Sequence, residues 1–404
     1  MNQQSYQPPA IIAKRYAEVL VNYALNSGEG VKAGEVVECV VPDVAKPLAL
    51  ELQNTLLLAG AHPLIRLMPT GFDKDYFLRA NPDQLQFFPK KMMRARLDVL
   101  DHRIGVIADV DPHEMLEINP EKIITARDAK REYQDWCRDK ETQGKMTWTV
   151  GLWGVQAKAE LVGLSLEEYW QQIISACFLD QEDPVSEWRK IAKTQHQIKD
   201  KLNEMQVDHL TISGEDVDLT VKLGADRIWQ AGAGRNIPSF EFFTSPDWRG
   251  TEGTITFNQP VYRYGRVMSG VSLKFEKGLV VEAQAKEGYD LLVQMLKSPD
   301  ANKVGEFSLT DRRMSRITHV MAETLFDENI GGPFGNTHLA LGMAYKDCYR
   351  GNAAELSVKQ WEELGFNDSS EHTDIVSTTD RTVVAYLTNG TKKTIYTDGQ
   401  FTVK

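Results

Sequence analysis

A chain of 404 residues with 42% hydrophobic and 25% charged residues can form two or three domains, each with its own core. No apolar run approaches the roughly 18 residues of a membrane-spanning helix, so no membrane partner is expected. The formal net charge is −11 and Lys and Arg are scattered, which argues against a nucleic-acid partner. The opening MNQQSYQPPAIIAKRYAEVL has no basic segment leading into an apolar one and does not read as a secretory signal. Cys39, Cys137, Cys177 and Cys348 lie far apart without CxxC spacing. That pattern fits reduced cysteines in a cytoplasmic protein rather than a disulfide framework or a zinc finger.

Residues 10–26 carry Ile12, Tyr16, Val19, Leu20 and Tyr23 at helical spacing. The turn SGEGVKAGE then leads into the β-branched run VVECVV, which reads as a buried strand. Pro42-Asp43 ends it, Asp43 is the expected N-cap of a helix over 44–59, and Gly60 closes that helix before the short strand HPLIRLMP. Strand, helix, strand implies a parallel sheet. The pattern repeats with a helical stretch over 82–100, the strand RIGVIADV, a charged helix over 119–140 and the strand TWTVGLWG. Helices around 165–178 and 183–204 complete an N-terminal α/β domain, residues 1–206. No GxGxxG or GxxxxGK[ST] follows any of these strands, so nucleotide binding has no support. His62, His102 and His113 lack partners at ligand spacing and read as surface or satisfied histidines.

From about residue 207 the texture changes. DHLTISG, VDLTVKL, GTITFN, VSLKFE and LVVEAQA are short alternating runs separated by Gly, Asp and Asn, as in antiparallel hairpins. Helices are expected over 286–297 and 314–325, and the Asn-Gly and Asp-Gly turns of the tail predict further hairpins. The second half, 207–404, is therefore an α+β domain rich in antiparallel strands.

Almost all side chains suited to a divalent-cation site fall in this half. Glu241 sits in the loop NIPSFEFFTSP, Glu306 follows Val304-Gly305, and Asp327-Glu328 lie in LFDEN. Taken singly, Glu241 reads as a solvated loop residue, Glu306 as an exposed strand residue, and the acidic pair as a helix flank. His338 and Tyr345, in HLALGMAY, are two helical turns apart and share a face if the segment is helical, although Gly342 weakens that case. His372 and Asp374 are two apart, which on a strand aims both at one point. The residues alone reach a divalent-cation site of His and carboxylates and stop there.

NIPSFEFFTSP, LFDEN, HLALGMAY and H-x-D, in that order, resemble the aminopeptidase T and aminopeptidase S family of metal-dependent exopeptidases. YAEVLVNYALNSGEGVKAGEVV and the DLTVKL strand also match, so the resemblance spans most of the chain. It implies an N-terminal α/β domain, a C-terminal catalytic domain, two divalent ions (zinc, cobalt or manganese), peptide substrates with a free N-terminus, and a homodimer. Position by position, Glu241 matches the first carboxylate ligand, Glu306 the carboxylate shared between metals, and His338, His372 and Asp374 the remaining ligands. Tyr345 matches the site tyrosine, whose phenol contacts a metal or the transition-state oxyanion, and Glu328 an acidic residue that ligates metal or orients water. Glu306 or Glu328 is expected to carry the proton to the leaving amine. The connection IGGPFGNT is longer than the family's usual one, which leaves the reach of Glu328 open.

Two other functions are compatible with part of this set. His338, His372 and Asp374 alone would make the facial triad of a mononuclear Fe(II) ring-opening dioxygenase, but Glu241 and Glu306 favour a second metal and hydrolysis. A non-catalytic metal-binding protein would bind tightly without turnover.

Overall fold

The β-branched run Val36–Pro42 forms β1, and His62–Met68, His102–Ile107 and Thr147–Leu152 form β2, β3 and β4. In this computed structural model, which describes residues 6–224, 226–232, 234–263 and 265–403, they pair in the order β2-β1-β3-β4 and every pair is parallel. A two-residue strand, Asn236–Ile237, adds to β4, again in parallel. The first compact unit comprises Met1–Arg189 and Ala233–Ile237. Helix α1 (Ala10–Val19) buries Ile12, Ala13, Tyr16, Ala17 and Val19, and the Tyr16 hydroxyl accepts from the Leu152 amide at 2.8 Å.

Helix α2 (Lys46–Leu58) begins later than expected, and Asp43 does not cap it. Pro47 fixes the first helical turn beyond Asp43, which instead opens the 3₁₀ turn Asp43–Ala45. Its carboxylate accepts from the Thr70 amide and hydroxyl. Gly60, at φ +77°, ends the helix as expected.

The second unit comprises Lys190–Gly232 and Pro238–Lys404, the division falling inside helix α3 (Pro184–Glu204). It contains two larger antiparallel sheets. One has eight strands, with the hairpin Val207–Gly214/Val217–Lys222 at its middle and the tail hairpin Arg381–Leu387/Lys392–Thr397 paired onto it. The other contains β5 (Glu241–Thr244), β6 (Val304–Thr310), β7 (Asn336–Gly342) and β8 (His372–Ser377), in the order β8-β7-β6-β5, with Gln230–Ala231 beyond β5. Every residue of β6 and β7 is buried.

One expected helix is absent, and the segment around His338, which would share a face with Tyr345 if helical, is not helical. The stretch 314–325 is turns and irregular chain, with helix only at Thr324–Asp327. Its buried Met314, Ile317, Met321 and Ala322 mimic a helical stripe. The Asp327 carboxylate takes the Met321 and Glu323 amides, and this local bonding competes with a helix. His338 lies on a strand, not on a helix shared with Tyr345, and β7 ends at Gly342 with φ +105°. A Cβ there would stand 2.1 Å from the Glu371 carbonyl oxygen, so glycine is required.

Candidate metal centre

Strand side chains alternate, so residues two apart share a face, as do residues directly opposite in register. Glu306 pairs with Ala340, which pairs with Asp374; Ser308 pairs with His338; Gly342 pairs with His372. Thr310, on the Glu306 face, pairs with Glu241. One face of the β8-β7-β6-β5 sheet thus gathers Glu241, Glu306, His338, His372 and Asp374 from four strands. Glu306 is aimed by a bulge at Gly305, where the register shifts between Val304 and Glu306.

The side chains converge. His338 Nε2 lies 3.3 Å from Glu306 Oε1, 3.5 Å from Glu241 Oε2 and 3.9 Å from Asp374 Oδ1. His372 Nε2 lies 3.6 Å from Glu306 Oε2 and 3.5 Å from Asp374 Oδ1. Two groups, Glu241–Glu306–His338 and Glu306–His372–Asp374, each bring their ligand atoms within 4.8 Å of one another, and Glu306 belongs to both. The first group is buried and the second is partly open. His372 Nδ1 donates to the Met343 carbonyl at 2.9 Å, which leaves Nε2 for the centre.

Tyr345 lies against the cluster, and the charge of Glu328 acts on its phenol. The Tyr345 ring packs edge-on against His372 at 4.9 Å and against Phe243 at 5.7 Å, and its amide donates to the Ser245 hydroxyl. Burial pushes the phenol well above its ordinary pKa, and the charges of Glu306, Asp374, Glu328 and Glu241 push it further. Glu328 is buried and accepts from Asn329 Nδ2 at 3.3 Å; it is in neither ligand group. Its neighbour Asp327 bonds backbone amides, as described above.

The electrostatics are those of crowded carboxylates. Burial, then the charge of Glu306, raise Glu241 to about 8. Burial pushes His372 down, but Asp374 and Glu306 outweigh it and raise the imidazole to about 9. His338 is raised against burial by its hydrogen bond to Glu306 and by the charges of Asp374, Glu306 and Glu241. Asp374 is lowered to about 2, against burial, by His372, His338 and Arg263. The cluster therefore draws in positive charge, which protons supply in the metal-free state. A divalent cation answers the same repulsion, and oxygen and imidazole donors suit zinc, cobalt and manganese. The donor set fits such ions.

Reading the residues one by one missed three features. Asn336 places its oxygen 3.4 Å from His338 Nδ1, Asn329 Oδ1 accepts from the Phe240 amide at 2.6 Å just before Glu241, and the Met343 carbonyl orients His372. Asn336 could have been found by counting two residues back from His338; the other two depend on folding.

The family model for the thermophilic metalloproteases, M29, matches residues 12–401. The chain belongs to that family. As an M29 protein it is a metal-dependent hydrolase of peptide bonds. It is 26% identical to aminopeptidase 2 of Geobacillus stearothermophilus over 96% of this chain and 97% of the relative. It is 30% identical to aminopeptidase T of Thermus aquaticus over 72% of this chain and 74% of the relative. The fold matches the wild-type AmpT structure from Thermus thermophilus with a TM-score of 0.83 at 23% identity, covering 97% of this chain and 99% of that one. The expected α/β and antiparallel α+β architecture agrees with that match. These relatives give no support to the ring-opening oxygenase or to the non-catalytic alternative.

Proposed function

We propose that this M29 protein is an aminopeptidase that removes the N-terminal residue of peptides at a centre for two divalent ions. One observation carries the proposal: five oxygen and imidazole donors converge on one sheet face in two groups that share Glu306. In this reading Glu241, Glu306 and His338 hold one ion, and Glu306, His372 and Asp374 the other. Zinc, cobalt or manganese all suit the donors. When bound, such ions polarise a scissile carbonyl and make water a nucleophile at neutral pH.

The chain's own residues do the rest. Glu306 is committed to both groups, so Glu328 is assigned to proton transfer between the attacking water and the leaving amine. Tyr345, whose phenol keeps its proton, is assigned to hydrogen-bond the developing oxyanion. An acidic side chain beside the ions holds the substrate's free α-amino group and restricts cleavage to the first residue. Catalysis is assigned to the second compact unit, Lys190–Gly232 and Pro238–Lys404, in place of the boundary at 206/207 expected from the sequence. The free, buried cysteines suit a reducing, cytoplasmic setting, and the acidic chain suits peptide rather than nucleic-acid partners.

The test is to strip metal with a chelator and assay aminoacyl-anilides with zinc, cobalt or manganese restored. Activity should vanish and return, and N-acetylated substrates should resist. Turnover unaffected by chelation, or equal cleavage of blocked substrates, refutes the proposal.

A further inference from the structure

Asn336 lies two residues before His338 on β7 and therefore on the same face. Its side chain is buried and held on one side by two bonds, Nδ2 donating to the Glu328 carbonyl at 2.9 Å and to the Ile330 carbonyl at 2.7 Å. Carbonyls only accept, so the amide nitrogen must face them and the amide oxygen must face away. That oxygen lies 3.4 Å from His338 Nδ1 and can only accept. Nδ1 therefore carries a proton and donates to it, which leaves Nε2 to face Glu306 and Glu241, at 3.3 and 3.5 Å. Without metal Nε2 donates to Glu306; a cation that displaces this proton meets the Nε2 lone pair while Nδ1 stays protonated. The loop that supplies the two carbonyls also supplies Asn329, which takes the Phe240 amide beside Glu241. His372 is oriented separately, by the Met343 carbonyl.

We infer that Asn336 is a positioning residue that fixes the tautomer and ring orientation of His338. It thereby sets the cation affinity of the Glu241–Glu306–His338 group without setting that of the group containing His372 and Asp374. The inference rests on the reading of the cluster as a cation centre. Outer partners of a ligating imidazole raise its basicity and hold its ring, and their loss weakens metal binding by about 10–100-fold.

The experiment titrates zinc into chelator-stripped protein against a competing coloured chelator, for the wild type, Asn336→Leu and Asn336→Asp. Asn336→Leu removes both the acceptor and the donors; one class of zinc should weaken by about 10–100-fold while the other holds. Asn336→Asp keeps an acceptor for Nδ1 but loses the donors to the loop. It should melt lower than wild type yet bind zinc close to it. Independently of the variants, nitrogen NMR of the zinc-loaded wild type should place the His338 proton on Nδ1. Wild-type affinity in Asn336→Leu, an equal loss in Asn336→Asp, or a proton on Nε2 overturns the positioning role alone. A wild type that takes up no zinc overturns the cation-centre reading and this role with it.

Discussion

At the scale of single residues, the side chains of the proposed centre differ in how many neighbours each serves. His372 joins one group and Glu306 joins both, so their removal should have different costs. His372→Ala should abolish metal-dependent hydrolysis of aminoacyl substrates while the circular dichroism spectrum stays native. Full activity would remove His372 from the site. Glu306→Gln should lower kcat/KM more than Glu241→Gln, and equal small losses would contradict the shared role. A separate residue-scale argument concerns Asp247, away from the ligand groups. Its buried carboxylate accepts from Arg249 Nε at 2.7 Å and Nη2 at 2.8 Å. Burial pushes the carboxyl up, but the bonds and charge of Arg249 outweigh it and hold it below its ordinary range. A carboxyl lowered in the folded state adds stability that is fully present above its unfolded pKa, about 3.9. That stability is lost as pH falls through the folded value. Asp247→Asn should therefore cost about 1.5–3 kcal/mol at pH 7 by urea denaturation. The gap to wild type should close in acid; a gap constant from pH 7 to pH 2 would refute the charge argument.

At the scale of elements, the site depends on strand geometry that residue types state only in part. His372 and Asp374 were legible because period two is the signature of a strand and the pair is local. Glu241 and Glu306 were not legible one at a time, since a buried carboxylate and a solvated one look alike until the register of β5, β6 and β7 is known. His338 was readable as a ligand by resemblance; the helical face it would share with Tyr345, already weakened by Gly342, is not what the chain forms. The spacing to Tyr345 fits two helical turns, whereas the chain ends a strand at Gly342 and turns. The bulge at Gly305 was also hidden. A Cβ on Gly305 would meet the Met343 carbonyl oxygen at 2.2 Å, and that oxygen accepts from His372 Nδ1. Gly305→Ala should therefore disturb two ligands at once, Glu306 by shifting the bulge and His372 by moving its acceptor. The expected outcome is a lower melting temperature and weaker zinc binding than in Gly105→Ala, a variant at a glycine without positive φ where a Cβ meets only Val150 Cγ2 at the ordinary contact distance of 3.6 Å and the Thr149 carbonyl oxygen at 3.9 Å. Zinc affinity in Gly305→Ala equal to that of Gly105→Ala would mean that the bulge does not aim the ligands.

At the scale of the whole molecule, the change from strand–helix alternation to hairpins told of two architectures because each has its own period and its own turns. Asn389-Gly390 and Asp398-Gly399 marked real hairpins, since their glycines take φ +83° and +68°. Asn236–Ile237 could not be read as part of the first sheet, because a two-residue strand carries no period.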